Sequence, residues 1–513
     1  MKMKILTAFV LFLCASSGAA FSQLSPFQFL QHPGPHPVGL KVVDQYDSSR
    51  KFPVLAGNTP TPVEIAKGRS LQTLVWYPAK QSGNKPMTAV EYVALEDTEV
   101  HFDAPDPEHN KWRKRVNRSF DAPLWAVRDA KPAGGRYPVL IYAPSDSSVA
   151  WENADLCEYL ASHGYIVLAS PSMGARTRDM TDDVEGINEQ AHDISFLITY
   201  AGTLPDADIS KVAVVSFSWG GISSLFAAAR DHRIDALAEM DGSMRYFPGL
   251  VKQAGDVDPE QMKIPLLFFT ANTTDYIEDV QRNYIPAADI VGPSVLNAWK
   301  HGDLYTVNML GMSHPEFCSM FQRWKSAQDY STDEVADYGR DDTNTSYAWA
   351  SLYTLKFLNA YLKNDASAKA FLARTPAENG VPEHFMGMHF RPAVGPQFED
   401  VMSAAAEQGY KQTLEAYRAF VNDPMHRSVS DLEKRMNTLG YMLMGAHELE
   451  AGVRVFQVNA ESHHESANVF DSLGDGYSAV GDKANAIKAY QRSVELNPAN
   501  EHAKGEIKKL QGR

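Results

Sequence analysis

Between residues 23 and 374 the chain repeats one pattern: a short, almost uninterrupted apolar run, then a stretch with helical spacing. The runs include "YPVLIYAPS" (137–145), "GYIVLASPS" (164–172), "KVAVVSFS" (211–218), "IDALAEMDG" (234–242), "IPLLFFTAN" (264–272) and "DLYTVNMLGMSH" (303–314). A strand that faces water on one side alternates apolar and polar residues. Runs that do not alternate belong to strands covered on both faces. Helical patterns at 149–162, 184–202, 220–231 and 346–363 supply the covering layers. The expected fold is therefore α/β, a largely parallel sheet with helices on both faces. "GLKVVDQY" (39–46) and "LQTLVWYP" (71–78) are expected to open it as antiparallel strands.

Residues 375–396 are rich in Pro and Gly and carry no clear period, so they read as a linker. From 397 to 513 the pattern is helical only. Two segments are self-similar at a fixed offset: Leu439 with Leu473, Gly440 with Gly474, Gly452 with Ala486, and Phe456 with Tyr490. That offset and those residues match the tetratricopeptide pattern, in repeats at about 437–470 and 471–504. Small residues let paired helices approach and aromatics fill the groove between them. Residues 397–421 are expected to form a leading helix pair. Such an array fits a protein partner or self-association.

The first 22 residues form a separate object. "MKMK" is a basic start, "ILTAFVLFLCA" an apolar core, and "SSGAAFSQ" offers cleavage after Ala20 or Ser22. This is a signal peptide, and export to a periplasmic or secreted location is expected. A lipoprotein anchor at Cys14 is disfavoured, because Leu13 precedes it and the cysteine lies inside the apolar core. No later apolar run reaches the ~18 residues of a membrane span. The formal charge of −15 disfavours nucleic acid and anionic membrane surfaces, which need a basic footprint. Cys157 and Cys318 are too few for a disulfide framework and read as buried free thiols.

The chemistry centres on "VVSFSWGG" (214–221). A serine hydroxyl is a poor nucleophile unless a base takes its proton, an acid orients the base, and donors hold the oxyanion. Ser218 ends a strand and opens a helix, as in a nucleophile elbow, whose sharp turn needs small residues two before and two after the serine. Gly220 meets that need, and Ser216 stands where a glycine is usual. In such sheets the remaining members follow in the order acid, then histidine. His314 lies just beyond the last core strand and is the expected base. His163, His192, His463 and His464 fall at a helix–strand turn, mid-helix and in the helical region. Asp241, directly after an apolar run, and Asp275, deeper in a polar loop, both qualify as the acid. The oxyanion donors are expected to be the N–H of Trp219 and one from "SDSSVAW" (145–151), Asp146 or a neighbour.

Through "HPVGLKVVDQYDSSR", "LQTLVWYPA", "YLASHGYIVLASP", "VVSFSWGG", "LAEMDG" and "GMSHPEF", residues 36–363 resemble the platelet-activating-factor acetylhydrolase and dienelactone hydrolase branch of the α/β-hydrolases. The resemblance implies a serine esterase that needs no metal or other cofactor and acts on short or oxidised acyl chains. It also implies that the acid follows the strand after the elbow helix, which favours Asp241. The chain departs from that branch at "APSDSS", where a His-Gly pair is usual, and in its C-terminal repeats, which the acetylhydrolases lack. Tyr276, Tyr284 and Trp299 of the insertion 273–302, with Trp219, Arg176 and Arg178, are candidates for the substrate pocket. A peptidase or acyltransferase could use the same three residues, and an inactive domain carrying an interaction scaffold is the reading from another class.

Overall fold

The computed structural model describes residues 27–56, 59–65, 68–103, 105–108, 110–272, 294–325, 338–395, 398–422 and 431–512. The expected signal segment 1–22 and the candidates Asp275, Tyr276 and Tyr284 lie outside the described residues. The chain divides into two compact units, the first ending at Ala393 and the second beginning at Val394.

The strands of the first unit are β1 (Val38–Asp47), β2 (Pro53–Ala56), β3 (Thr59–Ile65), β4 (Arg69–Pro78), β5 (Ala126–Arg128), β6 (Tyr137–Ala143), β7 (Ile166–Ala169), β8 (Ala207–Phe217), β9 (Ile234–Met240), β10 (Leu266–Ala271), β11 (Leu304–Met309) and β12 (Met386–Arg391). Apart from the β2–β3 hairpin, they form one sheet in the order β12-β11-β10-β9-β8-β6-β7-β4-β1-β5. The run from β7 through β6, β8, β9 and β10 to β11 is parallel. β4 is antiparallel to both β1 and β7, as the opening runs predict. This is the α/β-hydrolase sheet.

The apolar runs produce this sheet because both of their faces find a core. Along β6, Leu140 and Tyr142 enter one core while Val139, Ile141 and Ala143 enter the other. Along β8, Ala213, Val215 and Phe217 alternate in the same way with Val212 and Val214. Helices Ala154–Ser162 and Arg340–Leu362 cover the first face through Leu156, Tyr159, Tyr347 and Phe357. Helices Val184–Ala201 and Trp219–Arg230 cover the second through Ile187, Ile194, Ile222 and Leu225. Each fully buried side chain of this size contributes about 1.5–3 kcal/mol.

The strand order decides where a site can form. After β6 the chain adds β7 on one side, then returns to lay β8 on the other. The helices that follow β6 and β8 therefore leave on opposite faces, and a crevice opens beyond the carboxyl ends of these two strands.

The linker expected over 375–396 is not one. Residues Met386–Arg391 pair antiparallel with β11, from Met309 with Met386 to Leu304 with Arg391. Met386, Met388 and Phe390 alternate with Gly387, His389 and Arg391, a period-2 pattern that the surrounding Pro and Gly obscure. Phe390 stacks on Tyr305 with ring centroids 4.5 Å apart, and Arg391 donates to the carbonyls of Leu296 and Trp299. The fold of the first unit thus runs on to Ala393.

The second unit is helical throughout its described residues: Phe398–Gln408, Tyr410–Asn422, Leu432–Gly445, Leu449–Ser462, Ala467–Ala479, Lys483–Leu496 and Glu501–Leu510. The self-similar positions do equivalent jobs. A Cβ at Gly440 would lie 2.3 Å from the Phe456 ring, and one at Gly474 would lie 2.5 Å from the Tyr490 ring. Each glycine lets the aromatic of the next helix lie against its own backbone.

Candidate active site

Ser218 sits between β8 and the helix Trp219–Arg230 with φ 53° and ψ −120°, a conformation that costs a non-glycine residue about 1–3 kcal/mol. Three main-chain bonds hold it there. Its N–H donates to Met240 O at 3.1 Å, and its carbonyl accepts from Gly221 N–H at 2.9 Å and Ser243 N–H at 2.7 Å. The turn tolerates no side chain at positions 220 and 221. A Cβ on Gly220 would stand 2.2 Å from Ala143 O, and one on Gly221 would stand 2.6 Å from both Glu239 Oε2 and Gly242 Cα. Ser216 is a buried strand residue of β8, in register between Ala143 and Glu239. The close approach that demands glycine is made after the serine and not before it, so Ser216 is compatible with the elbow.

The imidazole of His314 bridges two partners. Nε2 lies 2.9 Å from Ser218 Oγ and Nδ1 lies 2.6 Å from Asp241 Oδ2. A carboxylate only accepts, so Nδ1 carries the proton and Nε2 is left to accept from the serine hydroxyl. His314 begins a short 3-10 turn, His314–Phe317, just after β11. Ser313 caps that turn, and its N–H donates to Glu316 Oε2 at 2.6 Å. The Phe217 ring lies 5.0 Å from the imidazole, centroid to centroid.

Asp241 follows β9 directly and is fully buried, at φ 48°. Its N–H donates to Phe269 O at 3.0 Å. Its second oxygen, Oδ1, accepts from the hydroxyl of Tyr246, a residue that sequence reasoning missed. No spacing rule ties a tyrosine to an acid five residues earlier. The contact exists because the 3-10 turn Ser243–Arg245 swings Tyr246 back.

Trp219 is the first residue of its helix, so its N–H belongs to the four that have no intrahelical acceptor. Its indole is buried against Phe247, with ring centroids 5.3 Å apart. Asp146 lies on the loop after β6, two residues beyond Pro144, whose carbonyl and that of Ala143 face Gly220. Burial, then the neighbouring Asp182, push the Asp146 carboxyl above its ordinary range.

Three pocket candidates have other roles. Trp299 is fully buried in the core beneath the sheet and donates Nε1–H to Ile264 O at 3.1 Å. Arg176 is exposed and pairs with Glu185 at 2.8 Å. Arg178 is a clamp between loops. It donates to the Glu99 carboxylate, to Ser172 O at 2.8 Å and to Ser148 O at 3.0 Å. The polar composition around 174–182 carried no signal that one arginine faces inward. Cys157 and Cys318 are both buried and unbridged, as expected.

No family model and no curated protein matches this chain. Among solved structures it is similar to a ferulic acid esterase from Streptomyces cinnamoneus, at 18% identity and a TM-score of 0.48, over 71% of this chain and 99% of that one.

Beneath the elbow lies Glu239. It is fully buried, and neither carboxyl oxygen has a hydrogen-bond partner among the described residues. Burial lifts its pKa well above the ordinary 4.5. A neutral acid is the form that such a site accommodates.

Proposed function

We propose that this chain is an exported serine hydrolase that cleaves carboxylic esters through an acyl-enzyme. The observation that carries the reading is the bridging imidazole, 2.9 Å from Ser218 Oγ and 2.6 Å from Asp241 Oδ2, with the serine on a strained turn at the carboxyl end of β8.

In this mechanism Ser218 Oγ attacks the ester carbonyl as His314 Nε2 takes its proton. Asp241 holds the tautomer and stabilises the imidazolium that forms. The N–H groups of Trp219 and Asp146 hold the oxyanion. The imidazolium then protonates the departing alkoxide. Water repeats the sequence on the acyl-serine, giving the carboxylic acid and free Ser218. Both oxygens of Asp241 are engaged, by His314 and Tyr246, which supports a fixed role for it as the acid. The sequence features quoted above support placement in the acetylhydrolase and dienelactone hydrolase branch. The matched glycine–aromatic contacts at 440/456 and 474/490 support tetratricopeptide repeats that bind a protein or a second copy of the chain.

The test is turnover of p-nitrophenyl esters of increasing acyl length, with a sugar acetate, a phospholipid and a peptide substrate alongside, plus labelling by a fluorophosphonate probe. Ester turnover with labelling at Ser218 is expected. Ser218→Ala should abolish labelling and lower kcat by at least about 10⁴-fold with an unchanged circular dichroism spectrum. Turnover retained in that variant removes Ser218 from the mechanism. A wild-type protein that takes no label favours the scaffold reading, and hydrolysis of the peptide alone favours a peptidase.

A further inference from the structure

The oxyanion loop lacks the residues usual in its position, yet it is tightly built. We propose that Glu152 is the positioning residue that sets the second oxyanion donor, by fixing the loop after β6 and joining it to the segment that carries His314. The inference rests on the serine-hydrolase reading above.

The Glu152 side chain is fully buried, and its two oxygens gather the start of the loop. Oε2 accepts from the Tyr142 hydroxyl at 3.0 Å and from Ser145 N–H at 2.9 Å, and Oε1 accepts from the Ser145 hydroxyl. This settles which amide remains. Pro144 has no N–H, and the Ser145 N–H is held by Glu152. The Asp146 N–H is the first after β6 that no acceptor takes among the described residues.

The main chain at Glu152 and the adjacent Asn153 face the other way. Glu152 O accepts from Met320 N–H at 3.2 Å and from the Cys318 thiol at 3.1 Å. Asn153 Nδ2 donates to Phe317 O at 2.9 Å, and its Oδ1 accepts from Ser319 N–H at 3.1 Å and from the Tyr347 hydroxyl. Phe317 ends the turn that begins at His314, and residues 318–320 directly follow it. Two consecutive residues therefore brace the oxyanion loop on one side and the base's loop on the other.

Stability does not account for such a residue. A buried carboxyl is often replaced by an apolar side chain at no cost or at a gain. Gathering Tyr142, Ser145 and Ser148 around one carboxyl serves geometry. Oxyanion donors act only if aimed at the developing charge, and a displacement of about 1 Å can lose on the order of 10² in rate.

The experiment compares wild type with Glu152→Gln, which keeps volume but turns one acceptor into a donor facing donors. Three quantities are read: kcat, KM, and the affinity of a trifluoromethyl ketone, whose adduct with Ser218 bears an oxyanion. Glu152→Gln is expected to lower kcat by about 10²-fold, to leave KM within about twofold, and to weaken the ketone by the factor lost in kcat/KM. An unchanged kcat/KM, or a weaker KM with ketone affinity intact, overturns the proposal. If Glu152→Gln does not fold, Tyr142→Phe removes one donor to the same oxygen with little change in volume. It should weaken the ketone in the same direction by a smaller factor, and unchanged affinity in that variant also overturns the proposal. Fluorophosphonate labelling separates the two levels. Glu152→Gln keeps Ser218, His314 and Asp241 and should label to completion. An unlabelled wild type means that the hydrolase reading itself has failed.

Discussion

Tyr246 donates to the one oxygen of Asp241 that His314 does not use, inside a site with no water-facing surface on the acid. Removing that hydroxyl leaves a buried acceptor short of a partner, a loss of about 1–3 kcal/mol. Part of it should appear in the transition state of the proposed mechanism, in which Asp241 balances the imidazolium. Tyr246→Phe is therefore expected to lower kcat about tenfold, equivalent to about 1.4 kcal/mol, with KM little changed and a lower melting temperature. Steady-state kinetics and thermal denaturation check both. At this scale the sequence was legible where chemistry is local. Ser218 stands on its turn and His314 stands where a strand ends, because each position follows from its own neighbours. The sequence favoured Asp241 over the alternative Asp275, and the structure brings Asp241 to the imidazole across 73 residues. Tyr246 and Glu152 had no legible role, and Arg178 read as a pocket candidate, because the meaning of each depends on a partner that the local pattern does not contain.

At the scale of elements, the helix Trp219–Arg230 presses its first turn onto the end of β6, and Gly220 is the contact. Alanine would gain about 1 kcal/mol of helix propensity there. A Cβ 2.2 Å from a carbonyl oxygen that belongs to the central strand outweighs this gain. Overpacking of this kind costs roughly 1–3 kcal/mol and displaces both Ser218, the proposed nucleophile, and the loop proposed to supply its oxyanion donor. Gly220→Ala should lose on the order of 10² or more in kcat/KM along with melting temperature. Ser216→Gly, in the strand on the other side of the serine, should cost about 1 kcal/mol of stability without approaching that loss in rate. Comparable rate losses in the two variants would refute this account of the elbow. The strands and helices themselves were readable from apolar runs and helical spacing. β12 was not, since six alternating residues within a Pro- and Gly-rich stretch become a strand only when β11 offers them an edge.

At the scale of the whole molecule, two sets of buried carboxyls oppose one another as pH changes. Burial pushes Glu158 up to about 8, although Tyr92 O–H and the N–H groups of Trp125 and Ala126 donate to it. Burial and the neighbouring Glu99 push Glu96 up to about 7. Each keeps a proton in the folded state that an unfolded chain releases near 4.5. Their contribution to stability is therefore complete below that value and is lost as pH rises toward 7 and 8. Asp193 has the opposite sign. Burial opposes its charge, but Arg69 and Arg50 outweigh burial and hold it below its ordinary 3.8, so its contribution is lost on strong acidification. Melting temperature should peak at mildly acidic pH and decline toward pH 8. Glu158→Gln should flatten the alkaline limb by up to about 1.4 kcal/mol per pH unit. Chemical denaturation of both proteins across pH 4 to 8 measures the slope, and parallel curves would refute the assignment.

The layers, the turn at Ser218 and the succession of Ser218, Asp241 and His314 along the chain were readable before any fold was known. Each of these is written in the period of a run, the size of a side chain beside a turn, or succession along the chain. The tertiary structure alone decided which acid meets the imidazole, which tryptophan is core, which arginine is a clamp, and how the loop after β6 is held. Those outcomes rest on hydrogen bonds and contacts between residues far apart in sequence, whose geometry exists only once the sheet has brought the carboxyl ends of its strands together.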